Sequence, residues 1–483
     1  MTSELDLMQR YMDAAPQPVL GDLANAWQVL EAAITEEVVG GQPSVVSHRG
    51  ATLRRVTRAP LGRSVIAVAA AAVIVAVVLS VVGTPKSPPP TSSGGKMAWR
   101  LVSSTTSPFR SLPPGGQPNL QCVTDLVCYS PAGNDPDSVG FYRTSDAGEI
   151  WQQMAPIPLK SVNLGSQISC PQADTCAVAG SPTNPVAGQL TELAVTTDGG
   201  VHWNTWSVPL PSGIPNPFPG RFSCADGLHC VVNVGGNPAG PNAAPSTTPQ
   251  YVGTFLSTSD GGKTWTQATS VPSAAAGSVW TMTCSADGSC VAVSALGGFP
   301  NSYIVGLSSH DWGRTWTAGP PSVYNSAPIM YASCPDTSHC MLVPLSGPSK
   351  APFEIATTAD AGQTWQVSGP PSGWQNMPTA VSCATGDDCW IAMSTYDTNS
   401  PAGAYSDPTI EATYDGGLTW SSIPLPSHQP PISDVLTLSC PPSGDGCMGI
   451  GNLEDHFVLP SGPPHQLSGP LVISNLPTAG PNH

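Results

Sequence analysis

Short apolar runs separated by turns rich in Gly, Pro, Asn and Asp fill the chain from about residue 97 to 480. The runs are four to eight residues long, as in Cys290-Val291-Ala292-Val293 and Glu192-Leu193-Ala194-Val195, and β-branched and small apolar residues dominate them. This pattern is typical of strands joined by surface loops. It predicts an all-β domain over 97–480.

Two phrases recur along this domain. The first is an Asp-Gly turn followed by Trp, clearest in Ser259-Asp260-Gly261-Gly262-Lys263-Thr264-Trp265. Its six Asp/Trp pairs are Asp146/Trp151, Asp198/Trp203, Asp260/Trp265, Asp311/Trp316, Asp360/Trp365 and Asp415/Trp420. The second phrase is a pair of cysteines with five residues between them, or six in the last copy. The two phrases alternate, so they mark one structural repeat.

The first cysteines of the pairs lie at 122, 170, 224, 284, 334, 383 and 440, which gives a period of 48 to 60 residues. One period contains a strand that usually ends in Ser-Cys, a turn, a strand that begins with Cys, a third strand, the Asp-Gly turn and a strand starting at Trp. Four strands at this period describe one blade of a β-propeller. Seven cysteine pairs therefore predict seven blades.

The two phrases differ in number, and the difference indicates where the ring closes. After Cys447 comes a last strand, Gly469-Pro470-Leu471-Val472-Ile473-Ser474-Asn475, which has Ser474-Asn475 where the Asp turn would be. Near the start of the domain, Trp99-Arg100-Leu101-Val102 resembles the strand that follows each turn Trp. We expect this N-terminal strand to complete the seventh blade, which removes open sheet edges.

The residue types of the Asp-Gly-Trp turn suit a structural role. Asp accepts hydrogen bonds from N–H groups of its own turn, and Gly supplies a positive φ. Thr or Ser adds a hydroxyl bond, and Trp buries a large ring between neighbouring sheets. These residues are predicted to build the frame of the propeller.

Each cysteine pair is predicted to bridge the two strands of one hairpin. The pairs are Cys122–Cys128, Cys170–Cys176, Cys224–Cys230, Cys284–Cys290, Cys334–Cys340, Cys383–Cys389 and Cys440–Cys447. Zinc binding by the cysteines is the alternative, but only His229 and His339 lie beside a pair and could serve as further zinc ligands. We expect no metal site and no cofactor.

The residues before the domain predict a membrane anchor. Val65–Gly83 is almost entirely Ala, Val, Ile and Leu, and about 19 residues at about 1.5 Å each can cross the hydrocarbon core of a bilayer. A cleaved signal peptide is the competing interpretation, but more than 60 residues precede the run. Five Arg lie between residues 49 and 63, just ahead of the run, and we expect them to place the N-terminus in the cytoplasm and the propeller outside the cell.

The predicted organisation has four parts. Residues 1–63 form a cytoplasmic tail, in which 20–39 has the periodicity of an amphipathic helix that self-packs, lies on the membrane or docks a partner. Residues 64–83 form the transmembrane helix, 84–96 a Pro/Ser/Gly linker, and 97–480 the extracellular propeller. An external compartment is also where disulfides persist.

Composition narrows the function classes. The 54 Pro and 49 Gly would also suit disorder, but regularly spaced Trp and Cys argue against it. A net charge of −16 makes nucleic acid an unsuitable partner, because phosphate binding needs clustered Lys and Arg.

The turn phrase resembles the Asp-box (BNR) repeat of sialidase-type propellers. That superfamily includes sialidases, xyloglucanases, sortilin-type receptors and a seven-bladed photosystem II assembly factor, so the resemblance implies a fold and leaves activity open. Sialidases bind the substrate carboxylate with three arginines and use a Tyr/Glu pair with an acid Asp. The resemblance leaves Arg110, Arg143 and Arg221 as weak catalytic candidates here. Phe109-Arg110-Ser111-Leu112-Pro113 stands near the family's Phe/Tyr-Arg-Ile-Pro phrase with one extra residue.

Other candidate chemistry is sparse. Glu192 and Glu354 each precede a turn Asp by six residues, which suggests equivalent positions in two blades. Asn134-Asp135-Pro136-Asp137 is either a polar turn or a calcium loop. The sequence predicts a binding or scaffolding module for a protein or glycan ligand, with a sialidase-type hydrolase as the alternative. The Pro-, Gly- and Asn-rich segments Pro211–Pro219 and Gly235–Pro249 are candidate recognition edges or plain surface insertions.

Overall fold

The chain divides into two units, 1–92 and 93–483, and all the residues that the computed structural model describes lie in the second. These are residues 98–102, 119–135, 138–162, 168–182, 188–237, 252–272, 276–277, 279–298, 301–324, 329–344, 354–369, 374, 377–397, 404–427, 432–443, 446–453 and 471–477. No helix within these stretches is long and apolar enough to span a membrane. The predicted anchor Val65–Gly83 and helix 20–39 lie outside them.

Thirty strands in the described residues form seven antiparallel sheets, which we number as blades in chain order. Strand β1 (Arg100–Val102) belongs to the last blade. Blade 1 is β2 (Gln121–Cys122), β3 (Cys128–Asp135), β4 (Ser138–Thr144) and β5 (Gln152–Gln153). Blade 2 is β6 (Leu159–Val162), β7 (Ser169–Gln172), β8 (Thr175–Pro182), β9 (Gln189–Thr196) and β10 (Asn204–Pro209). Blade 3 is β11 (Pro217–Cys224), β12 (Cys230–Gly236), β13 (Val252–Thr258) and β14 (Thr266–Gln267).

The remaining blades follow the same order. Blade 4 is β15 (Val279–Cys284), β16 (Cys290–Gly298), β17 (Asn301–Ser309), β18 (Thr317–Ala318) and β19 (Ser322–Tyr324). Blade 5 is β20 (Ile329–Ser333), β21 (Cys340–Pro344), β22 (Ile355–Thr358) and β23 (Gln366–Ser368). Blade 6 is β24 (Met377–Cys383), β25 (Asp388–Asp397), β26 (Ala404–Tyr414) and β27 (Ser421–Ile423). Blade 7 is β28 (Ile432–Ser439), β29 (Met448–Leu453), β30 (Leu471–Ser474) and β1.

The seven-bladed propeller predicted from the repeats is thus confirmed, with one difference in two blades. Blades 2 and 4 contain five strands each instead of four. In blade 2 the first strand is interrupted, and its pieces β6 and β7 both pair with β8. In blade 4 the outer strand is interrupted, and β18 and β19 both pair with β17.

The first strands of the blades form the innermost ring, since those of neighbouring blades contact one another. The residue before each first cysteine bridges to the next blade with a side-chain hydrogen bond of 2.7 to 3.0 Å. The acceptor–donor pairs are Ser439 with Cys122, Gln121 with Cys170, Ser169 with Cys224, Ser223 with Cys284, Ser333 with Cys383 and Ser382 with Cys440. Between blades 4 and 5 the Thr283 hydroxyl donates to the Cys334 carbonyl. All seven blade junctions carry this bond, which explains why the first strand usually ends in Ser-Cys.

The hydrophobic core consists of seven clusters, each shared by two neighbouring blades. Each cluster contains one of the repeat tryptophans: Trp151, Trp203, Trp265, Trp316, Trp365, Trp420 and, in the cluster of blades 6 and 7, Trp99. Trp316 is 2% exposed and stacks on Phe255 of blade 3 with ring centroids 3.9 Å apart. Burying such large rings between sheets stabilises the ring of blades as a whole.

The N-terminal strand closes the ring as predicted. β1 pairs with β30 in the register Arg100↔Ser474 and Val102↔Val472. The Arg100 guanidinium donates to the carbonyl of Leu476 at 2.7 Å. By the register of β29 and β30, Asn475 lies opposite Cys447, at the position of the Thr or Ser that precedes each turn Asp by two residues. Its side-chain oxygen accepts a bond from the Cys447 N–H at 2.6 Å, and its own N–H donates to the Cys447 carbonyl at 3.1 Å.

The predicted disulfides are confirmed. Each cysteine pair joins the first strand or its end to the start of the second in the same blade. All 14 cysteines of the chain are used, which removes the thiolates that a zinc site would need.

Candidate recognition edge of blade 3

The strand directions give the propeller two different faces. In a four-stranded antiparallel blade, the connections from the first to the second strand and from the third to the fourth lie at the same end. The cysteine turns and the Asp-Gly-Trp turns therefore share one face, which we call the turn face. The connections from the second to the third strand and from one blade to the next lie on the opposite face, the loop face.

On the turn face the turn aspartates are engaged within their own turns. Asp260 Oδ1 accepts from the Thr258 hydroxyl at 2.8 Å and from the Thr264 N–H at 2.9 Å, and its Oδ2 accepts from the Thr264 hydroxyl at 2.6 Å. The same three bonds recur at Asp311, Asp360 and Asp415. In these bonds the carboxylate oxygens accept from N–H and hydroxyl groups of their own turn. The carboxylates therefore stabilise the turn and are not presented as reactive groups.

These bonds stabilise the charged carboxylate. The hydroxyl and N–H of Thr264 lower the pKa of Asp260 to about 2. In blade 2, His202 replaces the threonine, and its N–H and ring lower the pKa of Asp198 to about 2. In the first blade, Ile150 stands in this position and Asp146 accepts only its N–H and the Thr144 hydroxyl.

Two of the three candidate catalytic arginines are described, and their surroundings differ. Arg143 lies on the third strand of blade 1, with its Nη2 3.6 Å from Asp174 of blade 2 and its guanidinium 5.8 Å from the centre of the Tyr129 ring. The Tyr129 hydroxyl in turn donates to the carbonyl of Ala173. Arg143 therefore links two neighbouring blades at the turn face.

Arg221 lies elsewhere, on the innermost strand of blade 3 beside a break in register between Pro219 and Phe222. It is half-buried, and burial lowers the pKa of its guanidinium. Arg110 lies outside the described residues. The arginine triad that the resemblance suggested thus has one member tied to a carboxylate on the turn face and another on an inner strand.

The other acidic candidates are dispersed. Glu192 lies on the third strand of blade 2, and Glu354 directly precedes the third strand of blade 5. In each blade a threonine, Thr196 or Thr358, pairs with the second cysteine. The glutamate lies four residues before that threonine in both blades. They therefore occupy equivalent positions in two blades that are not neighbours. For Asn134-Asp135-Pro136-Asp137, the structure describes only the backbone of the first two residues, at the end of β3.

The two candidate recognition segments come together on the loop face. Part of each is strand instead of loop, because Pro217 pairs with Gly236 and Phe218 with Gly235 in the β11–β12 hairpin. The amide of Asn216 donates to the Asn237 carbonyl at 2.9 Å. Gly236 also lies against Ile214 and Pro215 so closely that a Cβ there would come 2.7 Å from the Pro215 oxygen. Only glycine admits this approach. Residues 238–249 of the second segment lie outside the described residues.

This region is braced on its outer side as well. Ser212 donates both its N–H and its hydroxyl to the Gln267 side-chain oxygen, at 3.0 and 2.9 Å, and the Gln267 amide donates back to the Ser212 carbonyl at 3.1 Å. The N–H of Leu210 donates to the Gly188 carbonyl at 2.9 Å. The segment is therefore held at both ends by blades 2 and 3.

Two large apolar side chains remain exposed on this braced region. Leu210 is 45% exposed and Phe218 is 40% exposed. We call the residues Leu210, Ser212, Asn216, Phe218 and Asn237 the blade 3 edge. The edge offers apolar surface and amide and hydroxyl groups, and none of its five side chains carries a charge. The sequence analysis named the two segments but did not single out Leu210 and Phe218 as binding residues. They could have been found as large apolar residues that lie inside or beside a Pro-rich polar segment.

The exposed apolar residues of the turn face are arranged differently. Ile150, Val201, Leu228, Tyr414 and Leu418 are between 50% and 70% exposed and lie in four turns, one each in blades 1, 2, 3 and 6, with Tyr414 and Leu418 in the same turn. Each sits next to turn carboxylates, as Leu418 does beside Asp415. They provide matched controls for the blade 3 edge.

Comparison with known proteins gave matches among solved structures alone. No family profile matches the chain, and the search of curated proteins found no match. Among solved structures, YCF48 bound to D1 peptide is 16% identical, with 79% of this chain and 98% of that chain covered and a TM-score of 0.44. A GH74 xyloglucanase from Xanthomonas campestris is 14% identical over 75% of this chain and 54% of that chain, with a TM-score of 0.43. The Trypanosoma rangeli sialidase in complex with the inhibitor DANA is 12% identical over 62% and 52%, with a TM-score of 0.35.

Proposed function

We propose that the chain is a binding or scaffolding module whose propeller presents the blade 3 edge to a protein ligand. The observation that carries the proposal is the meeting of Pro211–Pro219 with Gly235–Asn237, which leaves Leu210 and Phe218 exposed on a hydrogen-bonded frame. Loops fixed to a rigid scaffold are where binding residues concentrate, and exposed apolar anchors in a polar rim dominate protein interfaces. A protein segment suits the edge better than a glycan, because the exposed large side chains, Leu210 and Phe218, are apolar and would pack against the apolar side chains of a protein.

Membrane anchoring is a second part of the proposal. Val65–Gly83 is proposed to cross the membrane once, with residues 1–63 in the cytoplasm and the propeller outside the cell. The seven disulfides support an oxidising compartment for the propeller, since such bonds rarely persist in a reducing cytosol. The function then is to hold a ligand at the outer surface of the cell.

Photo-crosslinking in the native membrane tests the binding site. The full-length protein carries p-benzoyl-phenylalanine in place of Phe218, and a matched variant carries it in place of Leu418, which is 70% exposed on the turn face. We expect a protein adduct from position 218 and none from position 418. Adducts of equal yield at both positions, or an adduct only from 418, would overturn the proposal.

The hydrolase alternative has less support from the geometry, because Arg143 is paired with Asp174 between two blades. A fluorogenic sialoside panel tests it directly. We expect no hydrolysis. Hydrolysis that disappears in both Arg110→Ala and Arg221→Ala would show that the protein is an enzyme.

A further inference from the structure

Blade 2 has an outermost strand unlike those of the other blades. β10 (Asn204–Pro209) contains six residues, whereas the outermost strands β1, β5, β14, β18, β23 and β27 contain two or three. In the sheet order β10 stands at the end and pairs only with β9 among the described strands. It therefore presents the longest uninterrupted sheet edge in the described part of the propeller.

The bonds of neighbouring blades show which backbone groups of β10 point outwards. In blades 1, 3 and 4, one N–H of the outermost strand donates to a carbonyl of the third strand: Met154 to Phe141, Ala268 to Phe255 and Gly319 to Gly306. Each of these carbonyls lies three residues before the Thr or Ser whose hydroxyl bonds the turn Asp. The equivalent pair in blade 2 is Trp206 with Leu193. In an antiparallel ladder, inward-bonded and outward-facing residues alternate. The N–H and C=O groups of Thr205 and Ser207 accordingly face the open edge.

The usual protections of an open edge are nearly absent here. Native sheets protect edges with charged side chains, proline or very short strands. The sequence Asn204-Thr205-Trp206-Ser207-Val208-Pro209 has no charge, and its single proline is the last residue. Ser207 is exposed and Thr205 is half-buried. The Trp206 ring packs on the sheet face against Gly262, with Lys263 5.8 Å from its centre, so this contact lies on the face and not on the edge.

The open edge continues into the blade 3 edge. Leu210 follows β10 directly and is exposed, and from it the segment Pro211–Pro219 runs to the exposed Phe218 on β11. A row of outward-facing backbone donors and acceptors can pair with the backbone of an extended ligand segment. Apolar side chains beside that row can then select apolar residues in the adjoining part of the ligand. We propose that the protein ligand binds as an extended segment that adds a strand to β10 and places apolar side chains on Leu210 and Phe218. This inference rests on the proposed function and specifies the form of its ligand.

Hydrogen exchange of the free, full-length protein in detergent tests the open edge without any ligand. We expect the amides of Thr205 and Ser207 to exchange at least roughly tenfold faster than those of Trp206 and Val208, because only the latter two are bonded within the sheet. Equal protection of all four amides would mean that another part of the chain already covers the edge, and would overturn the proposal.

The crosslinking variant with p-benzoyl-phenylalanine at position 218 tests strand addition. Ser207→Pro removes an outward N–H and places a ring on the open edge, whereas Ser207→Ala keeps the backbone donor; proline is tolerated at edge positions whose N–H faces solvent. We expect the adduct to fall by about tenfold or more in Ser207→Pro and to stay within about twofold in Ser207→Ala, because the backbone carries the contact. Thr205→Pro, which alters the second outward amide, serves as the independent variant if Ser207→Pro does not fold.

The outcomes separate this inference from the proposed function. An adduct that persists in folded Ser207→Pro or Thr205→Pro overturns strand addition and leaves the blade 3 edge as the binding site. An adduct with the mass of two copies of this chain overturns the partner segment in favour of self-association. Failure of position 218 to crosslink in the unaltered background is instead a failure of the proposed function.

Discussion

The backbone N–H of Cys122 in blade 1 donates a 2.7 Å hydrogen bond to the hydroxyl of Ser439 in blade 7, 317 residues away in the chain. A bond of the same type joins five other pairs of neighbouring blades, and between blades 4 and 5 the Thr283 hydroxyl donates to the Cys334 carbonyl instead, so the bond at Ser439 completes a ring. Both groups are buried, and neither water nor another side chain can easily replace the bond. Closure of the propeller thus depends on an inner bond at Ser439 as well as on the outer strand β1.

Ser439→Ala is expected to weaken this closure. The variant leaves the buried N–H of Cys122 without its acceptor, and an unpaired buried donor costs about 1–3 kcal/mol. Urea unfolding of the full-length protein measures the loss. Ser422→Ala on the exposed outer strand of blade 6 is the matched control and should lie within about 0.5 kcal/mol of the unaltered protein. Equal stability of the two variants would contradict the role assigned to Ser439.

The turn aspartates predict how stability depends on pH. The pKa values of Asp198 and Asp260 in the folded protein are about 2, below the value of about 3.9 for an unfolded Asp. Because the folded-state pKa is the lower one, their stabilisation is present above about pH 4 and is lost as the pH falls through about 2. The urea midpoint is therefore expected to fall between pH 5 and pH 2, and to fall less in Asp260→Asn. A midpoint that is the same at both pH values would contradict this account.

Trp316→Ala tests the shared cores between blades. The ring is buried and stacks on Phe255 of the neighbouring blade, so its removal leaves a cavity at a blade interface. The expected cost is about 3–5 kcal/mol of unfolding free energy. Leu418→Ala, at a residue that is 70% exposed, should change it by less than about 0.5 kcal/mol. A small effect at Trp316 would show that the blades do not depend on this contact.

Thiol counting tests the disulfides. The denatured, unreduced protein is expected to incorporate no maleimide, and the same protein is expected to incorporate 14 labels after reduction. Labelling without reduction would show that at least one of the seven pairs is open. Each bond closes a short loop and contributes on the order of 2 kcal/mol.

The sequence was sufficient for the architecture because the architecture repeats. Cysteine spacing gave the number of blades, and the contrast between Ser474-Asn475 and the six Asp turns located the closing blade. Each of these signals is local, since a turn residue acts within its own few residues. The Ser-Cys phrase was visible too, but its hydrogen bond to the next blade was not, because the Ser439 hydroxyl accepts from a backbone N–H 317 residues away.

The candidate site was harder to predict because it is made by tertiary contacts. Arg143 had the chemistry of a substrate-binding residue, and only its position beside Asp174 shows the contact that it makes. The segments Pro211–Pro219 and Gly235–Pro249 were recognisable by composition, yet nothing in composition places Asn216 against Asn237. The length of β10 was also unforeseen, since its alternation is weak and its neighbour on the sheet determines how far it extends.

The most direct test of the central claim is hydroxyl-radical footprinting of the full-length protein in its native membrane and after purification. Binding at the blade 3 edge predicts that oxidation of Leu210 and Phe218 is much lower in the native membrane, while oxidation of Leu418 on the turn face is unchanged. Protection of Leu418 with no change at Phe218 would contradict the claim and assign binding to the turn face.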